Sequence, residues 1–150
     1  MNQDSFNEVI EFAIEREEEA VKFYHELQSE VKFQAQKEML NELEQMEKGH
    51  ITVLENIRKK GYEKIEIPEM VDLHISNYIV DVEPSENMTY QDILIIAMKR
   101  EEKAKELYLD LASRFPGTDL EVLFKKIAAE EAGHKLKFEI LYDDQVLRDN

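Results

Sequence analysis

The sequence predicts an all-α fold, a four-helix bundle in which two helical hairpins are joined by one long crossover. Three observations predict it. The composition, 43% hydrophobic and 35% charged with only 4 Gly and 3 Pro, is that of a soluble helical chain rather than a β-rich or disordered one. Apolar residues recur at alternating steps of four and three along four stretches, the spacing of a helix face that packs against its neighbours. The chain also repeats itself. Shifted by 84 residues, Ala13, Arg16, Glu17, Glu18, Ala20, Tyr24 and Leu27 fall on the identical Ala97, Arg100, Glu101, Glu102, Ala104, Tyr108 and Leu111. The same shift carries Glu47, Gly49, His50 and Glu55 onto Glu131, Gly133, His134 and Glu139 with no insertion between the blocks. Two hairpins of one ancestral kind would form a bundle with approximate twofold symmetry, and 150 residues suffice for one such domain.

The first helix is expected over residues 4–31, with the stripe Phe6, Ile10, Ala13, Glu17, Ala20, Tyr24, Leu27 and Val31. A short connection near Lys32 leads into the second, over 34–60, whose stripe reads Leu40, Leu43, Glu47, His50, Leu54 and Ile57. Short joins make antiparallel neighbours. The crossover, about 61–88, holds Pro68 and Pro84, and has slack for a short helix around 69–80 while still running the length of helices roughly 40 Å long. The third helix, 89–114, repeats the first through Tyr90, Leu94, Ala97, Glu101, Ala104, Tyr108, Leu111 and Phe115. Phe115, Pro116 and Gly117 make a turn, and Thr118 or Asp119 caps the fourth helix, 118–146. Its stripe is Leu120, Phe124, Ile127, Glu131, His134, Phe138 and Leu141.

Six ionisable residues thus lie inside apolar seams: Glu17, Glu47, His50, Glu101, Glu131 and His134. Four carboxylates facing one interior need compensating positive charge, because burial of an isolated carboxylate is prohibitive, and two divalent cations would supply it. Glu-x-x-His places both side chains on one helix face, where both can reach a metal between helices. The motif is weak alone, but its two copies, Glu47 with His50 and Glu131 with His134, sit in the same register of the repeat. Glu15, Glu18 and Glu19 read instead as a solvated face, and His25 and His74 lack the pattern. Gly49 and Gly133 imply close helix approach beside the histidines, since glycine costs up to about 1 kcal/mol in a helix. Tyr24 and Tyr108 lie two turns beyond Glu17 and Glu101, where a phenol can donate to a ligating carboxylate.

Composition excludes several classes. With no Cys there are no disulfides, thiolate sites or cysteine nucleophiles, so a metal must use oxygen and nitrogen ligands. A net charge of -15 argues against nucleic acid and anionic membrane as partners. Neither a membrane span nor a secretory signal is visible, and the expected location is the cytoplasm. Four carboxylates with two imidazoles suit Fe, Mn or Zn. One Glu from each of two helices plus Glu-x-x-His from each of the others is the di-iron or di-manganese carboxylate pattern.

In the segments AIEREEEAVKFY, EQMEKGH, AMKREEKAKELY and AAEEAGH the chain resembles the rubrerythrin-like branch of the ferritin-like superfamily. The resemblance spans both hairpins and implies a ferritin-like fold with a non-haem di-iron site. It implies Glu17, Glu47, His50, Glu101, Glu131 and His134 as ligands, with Glu47 and Glu131 bridging. The full rubrerythrins carry a cysteine-ligated rubredoxin-type domain, which a chain without cysteine cannot form, so electrons would come from a separate donor protein. Ala104 stands where those proteins have a further carboxylate, and matches Ala20, which resembles bacterioferritin-type ferroxidase centres more.

The function expected is therefore an oxidoreductase that reduces hydrogen peroxide or O2 at two iron ions. The alternatives are iron capture or storage, and a metal-free helical interaction module. The polar run 143–150 offers no apolar fifth helix of the kind a storage shell uses. Off-seam apolar residues, including Phe12, Phe23, Phe33 and Leu109, predict a homodimer.

Overall fold

The computed structural model describes residues 3–60 and 88–149, which form four helices: α1 (Gln3–Leu27), α2 (Gln34–Lys60), α3 (Tyr90–Ser113) and α4 (Asp119–Asp149). The expected short helix around 69–80, and His74 with it, lie outside the described residues. α1 packs along α2 and α3 along α4, as two antiparallel hairpins. Apolar contacts form one cluster at each end of the bundle. Phe6, Ile10, Leu54, Ile57, Leu111, Phe115, Leu120 and Phe124 fill one, and Tyr24, Leu27, Leu40, Leu43, Ile93, Leu94 and Phe138 fill the other. Ile57, near the end of α2, and Ile93, near the start of α3, belong to opposite clusters. The end of α2 and the start of α3 therefore lie at opposite ends of the bundle, which is the up-down-down-up order of a bundle with one long crossover.

Local chemistry sets the helix ends. Thr89 and Asp92 form a reciprocal capping box at the start of α3, and the Thr118 hydroxyl accepts from the Glu121 amide at 3.3 Å to start α4. Gly117 supplies the left-handed turn before it, at φ 77°. α1 stops at Leu27, four residues before its expected end. There the Gln28 amide donates to the Tyr24 carbonyl at 3.3 Å, and the Ser29 hydroxyl to that of Glu26 at 2.8 Å, while backbone bonds tighten into a turn. Side chains thus take the carbonyls that another helical turn would have used. Val31 still reaches the core, at 7% exposure. α4 continues past 146, since nothing in its polar end breaks a helix.

Two expectations of packing are corrected. A Cβ added at Gly49 or Gly133 would meet nothing within 4 Å, so neither glycine marks a close approach of helices; both lie on outward faces. Phe12 and Phe23 are not surface residues, at 8% and 2% exposure. Their rings lie beneath the guanidinium groups of Arg16 and Arg100, at 4.6 and 4.7 Å, which cover apolar surface with a charged rim. Phe33 and Leu109 are exposed, and α4 adds Val122, Leu136, Ile140 and Leu147 on its outer side. Among the described residues no helix is long and apolar enough to cross a membrane.

Candidate metal centre

Between the two apolar clusters lies a polar layer. Glu17 of α1 and Glu101 of α3 enter it singly, whereas α2 and α4 each supply an i, i+3 pair, Glu47 with His50 and Glu131 with His134. All six residues are buried, none above 5% exposure. The Nδ1 of His50 lies 2.9 Å from Glu131, and 3.5 Å from both Glu17 and Glu47. His134 Nδ1 lies 3.2 Å from Glu47 and 3.4 Å from Glu101. Ligand atoms of Glu17, Glu47, His50 and Glu131 fall within 4.8 Å of one another, and so do those of Glu47, Glu101, Glu131 and His134. Glu47 and Glu131 belong to both groups. They are therefore the carboxylates that two ions, one in each group, could share.

The residues fit bound metal on a further ground. Glu17 Oε2, Glu47 Oε1, His50 Nδ1, Glu101 Oε2, Glu131 Oε1 and His134 Nδ1 are all buried and make no hydrogen bond. Each of the six residues thus turns one atom inward towards the others, at 2.9–3.5 Å but without an aligned hydrogen bond, an arrangement that buried polar atoms rarely adopt. Oxygen and imidazole donors in this number suit iron or manganese.

Electrostatics describe the same layer without metal. Burial lifts the Glu17 carboxyl well above its ordinary range, assisted by the charge of Glu47. Burial does the same to Glu131, assisted by Glu101 and Glu47. Glu47 is pushed up by burial too, but the approach of Glu17, His134 and His50 outweighs this and leaves it lowered. Burial opposes the charged form of both histidines, yet the adjoining glutamates prevail. Glu17 and Glu47 raise His50 to about 11, and Glu101 and Glu47 raise His134 to about 9. In the metal-free chain protons therefore neutralise the carboxylate layer.

An outer ring orients these groups. Tyr24 on α1 donates its phenol to Glu101 on α3, and Tyr108 on α3 donates to Glu17 on α1 at 2.5 Å. Burial, followed by the surrounding carboxylate charge, raises both phenols well above their ordinary range, which keeps them as donors. The outward nitrogens of the histidines have partners as well. His50 Nε2 lies 2.6 Å from a Glu130 carboxylate oxygen, and His134 Nε2 lies 3.2 Å from the sulfur of Met46.

A cleft of about 470 Å3, counting its open mouth, reaches the layer between α1 and α3. Ala20, Ala104 and Leu107 line its wall, Glu17, Glu47, Glu101 and Glu131 its floor, and Arg16, Arg100, Lys103 and Glu19 its rim. Glu19 ties the rim together, at 2.9 Å from Arg16 and 3.9 Å from Arg100.

Sequence reasoning missed Glu130, Met46 and the arginine rim. The 84-residue shift carried the signal, since it pairs Arg16 with Arg100 and sets Met46 against Glu130. It also missed buried Glu44, which receives His25, Gln28 and Lys48 at 2.8–2.9 Å and joins α1 to α2 away from the centre.

A likeness to known proteins accords with this geometry. The sequence matches the rubrerythrin family over residues 8–91 and 92–149, nearly its whole length in two segments. No curated protein sequence is significantly similar. Among solved structures, the chain is similar to a candidate ferritin-like diiron-carboxylate protein from Thermotoga maritima, with 21% identity over 97% of each chain and a TM-score of 0.77. It is also similar to a hypothetical protein from Pyrococcus furiosus, with 27% identity over 91% of this chain and 87% of that one, and a TM-score of 0.70. With the family matched across both hairpins and the ferritin-like fold shared, the chain belongs to the rubrerythrin family.

Proposed function

We propose that this chain is a non-haem di-iron oxidoreductase that reduces hydrogen peroxide or O2 with electrons from a separate donor protein. The observation that carries the reading is the convergence of six buried ligand atoms, none in an aligned hydrogen bond, in two groups that share Glu47 and Glu131. Glu17, Glu47, His50 and Glu131 would hold one iron ion, and Glu47, Glu101, Glu131 and His134 the other. When bound, two ferrous ions supply two electrons to an O–O bond, so peroxide with two protons yields two waters and O2 with two protons yields peroxide.

The chain's own residues do the rest. Tyr108 and Tyr24 fix the carboxylates of Glu17 and Glu101 from opposite hairpins. The small side chains of Ala20 and Ala104 leave a passage for a molecule of a few atoms. Arg16, Arg100 and Lys103 line its outer part beside Glu19, so the approach to the centre carries both signs of charge.

Stopped-flow mixing of Fe(II)-loaded protein with peroxide and, separately, with O2 tests the reading. Two Fe(II) oxidised per peroxide, with turnover only on addition of a reductant, is the expected result. Iron inert to both oxidants removes it, and hundreds of ferric ions accumulated per particle replace it with storage.

A further inference from the structure

The centre is nearly twofold symmetric, and one position breaks the symmetry where it touches the ligands. The shift that carries Glu17 onto Glu101 and His50 onto His134 carries Met46 onto Glu130. Each sits one turn before the histidine of its own helix and reaches across to the histidine of the other hairpin. His50 meets a carboxylate at 2.6 Å and His134 meets a thioether at 3.2 Å. We propose that Glu130 and Met46 make the two metal positions unequal, so that the position built on His50 binds a divalent ion more tightly than the one built on His134. The inference rests on the di-metal reading above.

The imidazole rings carry the difference to the metal positions. Both turn Nδ1 towards the carboxylate layer, so a metal ion takes the Nδ1 lone pair and Nε2 carries the ring proton. At His50 that N–H donates to an anion, a short charge-assisted bond that locks the tautomer and pushes electron density towards Nδ1. At His134 the acceptor is a methionine sulfur, which polarises the N–H weakly and holds the ring by packing as much as by direction. The remaining ligands are matched in type between the two positions. Each position has one terminal glutamate that accepts from a tyrosine of the opposite hairpin, and both share Glu47 and Glu131. Glu130 and Met46 are 33% and 39% exposed, so either can be replaced without opening the core. They are positioning residues, acting on the metal only through a histidine.

Calorimetric titration of the metal-free full-length chain with Co(II), a redox-stable stand-in for Fe(II), tests the proposal. Two binding steps separated by about 10- to 100-fold are expected, the range typical when such an outer partner is lost. Glu130→Met should weaken the tighter step by about that factor, and Met46→Glu should strengthen the weaker one until the steps merge. The double exchange should restore two steps in reversed order. Paramagnetically shifted N–H signals of His50 and His134 in the NMR spectrum after one equivalent read that order, independently of catalysis. Two ions bound with equal affinity, or steps unmoved by Glu130→Met, overturn this inference and leave the di-metal reading standing. Failure to bind Co(II) and Fe(II) at all overturns both.

Discussion

The phenol of Tyr108 donates to Glu17 Oε1 at 2.5 Å, across the gap between one hairpin and the other, and both groups are fully enclosed. Tyr24 makes the reciprocal bond to Glu101. These bonds matter because α1 and α3 otherwise touch sparingly, the cleft lying between them. Tyr108→Phe keeps the ring stacked on Phe124 but leaves a buried carboxylate oxygen without its donor. A loss of about 1–3 kcal/mol in the metal-free protein is expected from denaturant unfolding. Metal affinity should fall by roughly tenfold or more in a titration. Wild-type values for both would mean that the tyrosines only fill space.

How much of this was legible in the sequence follows from what a helical period encodes. A four-three stripe fixes which side of a helix is inside, so the burial of Glu17, Glu47, His50, Glu101, Glu131 and His134 could be read directly. The stripe does not encode which hairpin faces which. That the tyrosines would serve the glutamates of the opposite hairpin emerged only when the helices were placed. Off-seam residues were misread for a related reason. Phe12 and Phe23 fall outside the stripe, yet Arg16 and Arg100 fold over them, a three-dimensional cover that periodicity cannot show. Gly49 and Gly133 misled in the other direction, since composition alone cannot separate a glycine required for contact from one on an open face. The early end of α1 depended on side-chain competition by Gln28 and Ser29 for two carbonyls.

Stability of the metal-free protein should fall as pH rises. His50 and His134 have folded values of about 11 and about 9 against an ordinary 6.5. A group raised on folding stabilises fully below its unfolded value and loses that contribution as pH climbs towards the folded one. Glu17 and Glu131, also raised, act in the same direction from about 4.5 upwards. Melting of chelated protein at pH 6 and pH 9 checks this. A higher melting temperature at pH 9 would contradict the charge balance of the layer.

Ala20 and Ala104 keep the cleft open, so enlarging either should hinder the oxidant without removing a ligand. Ala104→Leu is expected to retain both metal ions and to slow oxidation of the Fe(II) form by peroxide by about tenfold or more, equivalent to roughly 1.4 kcal/mol in the barrier. Iron content by elemental analysis and single-turnover absorbance separate the two effects. An unchanged rate would place the route of the oxidant elsewhere.

Metal loading should stabilise the bundle, and Glu47 should be indispensable to that effect. Ions that bind only the folded chain add about 2.7 kcal/mol per site at a free concentration a hundred times the dissociation constant. For a chain of this size that corresponds to a rise of roughly 5–10 °C in melting temperature. Glu47 lies in both ligand groups, so Glu47→Ala removes a donor from each position at once. Its metal-free form need not be less stable, because the substitution also removes a buried charge from a crowded carboxylate layer. The diagnostic quantity is therefore the difference between melting in Fe(II) and melting in chelator, under anaerobic conditions. Wild type should show the full rise, Glu47→Ala little or none, and Glu18→Ala, altered on the exposed face of α1, the wild-type rise. A full rise in Glu47→Ala would refute the shared role of this carboxylate, and no rise in the wild type would refute the metal centre itself.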